Sequence, residues 1–159
     1  MRDKRFIAEH RGGLLKIDLH RQLINWACIC GEHVLPLCIE TVDERLINAL
    51  LIAKEWASGN AKVGEAMKAS VACHTVARES ADPISIAIAR SIGQAVATAH
   101  MAGHSLGAAI YALKAVKFAN KSIEAERKWQ NEQLPSEIRK LVLSTRPEKE
   151  HSFNDFKIK

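Results

Sequence analysis

Residues 61–119 read AKVGEAMKASVACHTVARESADPISIAIARSIGQAVATAHMAGHSLGAAIYALKAVKFA and hold seventeen alanines, with few residues that favour strands. Alanine loses no side-chain entropy in a helix, so the block reads as tightly packed helices. A helix over roughly residues 62–81 places Val63, Met67, Ser70, His74 and Ala77 on one face. Asp82-Pro83 supplies an N-cap and a first-turn proline for the next, whose face is Ile84, Ile88, Ile92, Ala95 and Ala99. Gly103 either ends that helix in a left-handed cap or sits in a nearly continuous run. The following helix carries Leu106, Ile110, Leu113 and Val116 and is expected to extend toward Trp129.

Upstream, Asp18 is the expected N-cap of a helix running to about Pro36, with Leu19, Leu23, Trp26, Cys30, Val34 and Leu37 as its apolar stripe. Thr41-x-x-Glu44 reads as a capping box for a second helix, stopped by Ser58-Gly59-Asn60. Downstream, Pro135 opens a short last helix with Ile138, Leu141 and Val142, and the chain beyond Ser144 is polar. The expectation is an all-α protein: a compact bundle of five to six helices over residues 1–144, then a flexible polar tail over 145–159.

The chain has 159 residues, 47% of them hydrophobic and 26% charged, enough apolar material for one packed core. No run of about eighteen apolar residues marks a membrane span, and no apolar signal-peptide core follows Met1-Arg2-Asp3-Lys4-Arg5. The expected compartment is the cytoplasm. Cys28, Cys30, Cys38 and Cys73 lack zinc-knuckle spacing and read as free thiols. Residues 114–159 carry eleven basic and seven acidic side chains, the larger part of a net charge of +5. Their signs alternate, as on a solvated helix face, so nucleic-acid binding is not favoured.

Gly103-His104-Ser105-Leu106-Gly107 matches the wording of a nucleophile elbow, which requires a strand feeding a strained turn. Here a helical segment precedes it, so the glycines read as a helix junction. His100 and His104 have the i,i+4 spacing of a metal pair, but no carboxylate is built into the turn. Buried histidines satisfied by local partners are the simpler reading. Glu9-His10-Arg11-Gly12-Gly13 is a dense polar segment whose paired glycines allow a tight reversal, and Arg11 suits a carboxylate. His20, Glu32, His33, His74, Tyr111 and Lys114 complete a set of polar candidates with His10, Arg11, His100 and His104. None is assigned a catalytic role, and neither a cofactor nor a resident metal is expected. The alternative is a helical enzyme or ligand-binding protein using these His and Glu side chains, with a divalent metal.

Phe6-Ile7-Ala8-Glu9-His10-Arg11-Gly12-Gly13, His20-Arg21, Trp26-Ala27 and Glu32-His33-Val34-Leu35 resemble the opening of the Imm-5-like family of immunity proteins from bacterial polymorphic toxin systems. Residues 97–115, and Trp129-Gln130 with Gln133-Leu134-Pro135 and Ile138-Arg139, resemble its later segments. The resemblance implies an intracellular antidote that binds a cognate toxin domain and blocks it without chemistry of its own. It carries over no assigned site residues. A homodimer is compatible with the alanine-rich faces.

Overall fold

Asp82 sets the start of the central helix: its carboxylate accepts from Ser85 N at 3.0 Å, with Pro83 at the first helical position. The computed structural model describes residues 3–153. Seven α-helices run through them, α1 (Ile17–Val34), α2 (Glu44–Ala57), α3 (Val63–Glu79), α4 (Pro83–Ala97), α5 (His104–Phe118), α6 (Ile123–Glu132) and α7 (Ser136–Ser152). No strand forms among the described residues. The nearest approach is one isolated bridge between Ala8 and Leu15.

The all-α expectation holds, with more helices than the five or six read from the sequence. The extra one arises because α5 stops instead of reaching Trp129. Asn120 takes a left-handed φ of 59°, a conformation that Asn tolerates better than most residues, and Ser122 then caps α6 by accepting from Ala125 N at 3.0 Å. Two helix starts differ from the sequence expectation. Asp18 lies in the first turn of α1, after Lys16 as N-cap, and Asp43 rather than Thr41 caps α2, accepting from Arg45 N at 2.9 Å. Asp43 also holds the Arg45 guanidinium, so the aspartate wins the cap.

The chain beyond Ser144, read as a polar tail, is helical to Ser152 despite Pro147 inside the helix. Arg146 explains the extension: it is 3% exposed and tied to residues of α6 and to Glu150 one turn on. The remainder of the expected tail, residues 154–159, lies outside the described residues.

α4 and α5 pack at the centre, against α1 and α3. Ala87, Ala89, Ala95, Ala108, Ala112 and Ala115 are buried there with Ile88, Ile92 and Val116, so small side chains let the backbones approach closely. Serines cross the seams: Ser91 Oγ donates to Ala108 O at 2.7 Å, and Ser70 Oγ to Gly93 O at 2.9 Å. The alanine faces that could have served a dimer are thus used within one chain. A second core gathers Phe6, Leu23, Trp26, Leu106, Ile138 and Val142. The four cysteines are free, and three of them are buried. Among the described residues no helix is long and apolar enough to cross a membrane.

Candidate functional site

The ten polar candidates do not converge; they fall into separate places on the bundle. Four of them meet at one end. There the Glu9–Arg11 turn folds back over α1, held by Glu9 N to Leu15 O at 3.0 Å and Leu15 N to Ile7 O at 2.9 Å. His10, Arg11, His20 and His100 border a cavity of about 130 Å³ with Phe6, Trp56 and Met101. His20 is 5% exposed, packs 4.7 Å from the Trp56 ring and donates from Nε2 to Thr98 O at 2.6 Å. A carbonyl only accepts, so the proton sits on Nε2. Burial holds the His20 ring below its ordinary pKa; the Thr98 bond opposes this and the nearby His10 and Arg11 reinforce it.

His74 and His104 lie on either side of α4. Arg90 donates to His74 Nδ1 at 2.7 Å, which makes that ring a neutral acceptor. Gly93 makes room for it, since a Cβ there would stand 3.0 Å from His74 Cε1 and Nε2. His104 donates from Nδ1 to Gln94 Oε1 at 2.7 Å, and Gly107 leaves space for that amide. Both histidines are held below their ordinary pKa, first by burial, then by the cations Arg90 and Arg78 at His74 and Lys149 at His104. On the same edge of α5, Lys114 Nζ lies 4.8 Å from the Tyr111 ring centre and 5.6 Å from that of Phe153.

Glu32 and His33 belong elsewhere. Glu32 is half-exposed and paired with Lys54 at 2.8 Å. His33 donates from Nδ1 to Glu126 Oε2 at 2.6 Å and stacks on Trp129 with 3.4 Å between ring centres and 9° between planes. That cluster joins α1 to α6. His100 and His104 do not share a helix, because α4 ends at Ala97 and His100 stands in the intervening turn; the i,i+4 argument lapses. Among the described residues no group of three or more His, Cys, Asp or Glu side chains is placed to hold a metal ion. Gly103 caps α5 in right-handed geometry at φ −62°, not in the left-handed cap. Ser105 is fully buried in α5, its Oγ donating to Ala102 O at 2.7 Å, with no strand before it.

A family model described as "Imm-5 like putative immunity protein" matches residues 13–137. The chain belongs to that family. No curated protein and no solved structure matches it. The matched span runs from Gly13, the second of the glycine pair before α1, to the first turn of α7, so eight of the ten candidates fall inside this immunity-family segment and His10 and Arg11 precede it.

Sequence reasoning passed over Arg90, Gln94 and Lys149 and read Trp56 only as a core or rim anchor; Trp56, Arg90 and Gln94 touch the candidates, and Lys149 borders the same groove as His104. Arg90 carried a usable signal: between Asp82 and Lys114 it is the only charged residue. Trp56 had none, since its approach to His20 depends on how α2 ends against α1.

The neutral histidines predict an acid-sensitive fold. His20, His74 and His104 have folded-state pKa values below the ordinary 6.5, so the unfolded chain takes up protons first as pH falls. Stability is therefore full above that value and declines progressively below it. Thermal melts between pH 7.5 and 5 are expected to show a falling Tm, with a weaker decline in His20→Gln. A Tm flat across that window would contradict the neutral assignment.

Proposed function

We propose that this chain is an immunity protein that binds a cognate toxin domain and neutralises it by occupying its surface, without catalysing a reaction. The family match over residues 13–137 carries the reading. The dispersal of the polar candidates supports it, because a catalytic centre needs its groups within reach of one reacting atom. A helical bundle with preformed faces also orders little on binding, which keeps the entropic cost of association low. Such a protein works in the cytoplasm of the cell it protects.

A small-ligand reading would draw on the open clefts of about 370 Å³ beside Phe6 and Lys149 and about 380 Å³ beside His33 and Trp129, or on the more enclosed cavity beside His20. At about 130 Å³ that cavity falls below the roughly 300 Å³ at which ordinary ligand pockets begin. A partner's side chain fits that volume better than a free substrate.

The test is protection. Cells expressing the toxin domain encoded beside this chain's gene are expected to survive when the chain is co-expressed, and the two proteins to co-purify at equal stoichiometry. Cell death at equal expression, with no complex recovered, would refute the reading.

A further inference from the structure

Between Asp82 and Glu124 the chain contains no acidic residue, and its charged side chains there are Arg90, Lys114, Lys117 and Lys121. This span is α4 and α5, the centre of the fold. Where their outer edges meet α3 and the end of α7, Arg78, Arg90 and Lys149 gather around His74 and His104. Arg90 is used on His74 at 2.7 Å, and Arg78 on Thr75 Oγ1 at 3.0 Å. Lys149 borders a groove of about 260 Å³ with Gln94, His104, Gly107 and Phe153, and among the described residues no acidic side chain lines it. Among the described residues Arg78, Arg90 and Lys149 form no ion pair, whereas Arg5, Arg45, Lys54, Arg127 and Arg146 are each matched to a carboxylate. The cationic edge also has apolar company: Val71 and Met67, one and two turns before His74 on α3, are 63% and 43% exposed.

Arg5, Arg45, Arg127 and Arg146 are neutralised by the molecule's own carboxylates, and Arg78 and Arg90 are not among them. Unpaired cations beside exposed apolar side chains suit a partner that brings the missing carboxylates. We infer that the face spanning Arg78, Arg90, His104 and Lys149 is the docking surface for an acidic segment of a protein partner. Its carboxylates meet the three cations, and an apolar side chain enters the groove beside Gly107. The inference rests on the immunity reading for the partner's identity, a toxin domain, but the surface itself can be tested without it.

Chemical-shift mapping with a short poly-glutamate peptide reads the face directly. Shifts are expected to cluster on Arg78, Arg90, His104 and Lys149, and to vanish in R78E/K149E, whose two substituted positions are both exposed. The folding of that variant is checked by circular dichroism, and R90Q is a second, milder probe of the same face. Shifts centred on the exposed Lys128 and Lys140 of α6 and α7, or spread evenly, overturn the inference. With the toxin domain, R78E/K149E is expected to lose on the order of 100-fold in affinity while K128E/K140E stays near wild type. If wild type binds the toxin domain and R78E/K149E binds equally well, the surface is wrong and the immunity reading stands. If the peptide maps to this face but the toxin domain does not bind, the surface stands and the immunity reading fails. Preferential, steeply salt-dependent binding of a DNA duplex to the same face would replace the protein partner and overturn the inference.

Discussion

Arg146→Met is expected to lower the Tm by about 10 °C. The guanidinium is 3% exposed, and it donates from Nε to Glu150 Oε2 at 2.6 Å, from one terminal nitrogen to Asn131 Oδ1 at 2.9 Å and from the other to Gln130 Oε1. Gln130 is fully buried; its amide donates to Ala109 O at 3.1 Å, and its backbone oxygen accepts from Trp26 Nε1 at 2.9 Å. One side chain therefore closes a network joining α1, α5, α6 and α7. Removing it strands the Gln130 oxygen in the core and leaves Glu150 with Arg127 alone. Breaking a buried ionic network from one side costs about 3 kcal/mol, and for a domain of this size each kcal/mol moves Tm by roughly 2–4 °C. Arg146→Lys keeps the charge but offers one nitrogen to three acceptors, so its Tm should fall between those of Met and wild type. A Met variant melting within about 2 °C of wild type would show that the network adds no net stability.

The same network produces a second acid limb, separate from that of the histidines. Burial would raise the Glu150 carboxyl, but hydrogen bonds from Arg127 and Arg146 outweigh it and hold the group below its ordinary 4.5. Its contribution is present above that value and is lost as pH falls below it. In Arg146→Met this lower limb should be shallower, while the histidine limb nearer neutrality is unchanged.

What the sequence made legible follows from how local each signal is. The Asp82-Pro83 start of α4 was readable because cap and proline act on the next turn alone. The alanine block announced close helix packing for a similar reason, since propensity sums along the chain. Arg146 was not readable. An arginine near Pro147 and two glutamates looks solvated, and only the approach of Gln130 from α6 buries it. The candidate site was legible as residue types and illegible as places. His10, Arg11, His20 and His100 meet because the N-terminal turn folds back onto the α4–α5 turn, a long-range contact with no periodic trace. His33 and Glu32 are sequence neighbours, yet they serve opposite partners, Glu126 and Lys54, as adjacent positions on one helix must.

Gly12 and Gly13 are adjacent, and replacing them should have unequal effects for different reasons. Gly12 has φ 87° with nothing within 4 Å of an added Cβ, so Gly12→Ala meets only backbone strain, about 1 kcal/mol. Gly13 is the tighter position. A Cβ there would stand 2.0 Å from Ile7 O and 2.4 Å from Ile7 C, and backbone cannot swing aside as a long side chain can. Gly13→Ala must therefore push the returning turn away from the Lys4–Ile7 segment, breaking Gly13 N to Ala8 O and Leu14 N to Lys4 O. Overpacking of this kind costs about 3 kcal/mol, near the upper end for a single added methyl group. Because His10 and Arg11 ride on that turn, the cavity beside Trp56 should open with it. The expected signature is a Tm loss larger than that of Gly12→Ala, faster amide exchange at Glu9 and Leu15, and a shift in Trp56 emission measured in a Trp26→Phe/Trp129→Phe background. Equal losses at the two glycines would mean that the turn tolerates displacement, and that its contact with Ile7 does not hold His10 and Arg11 in place.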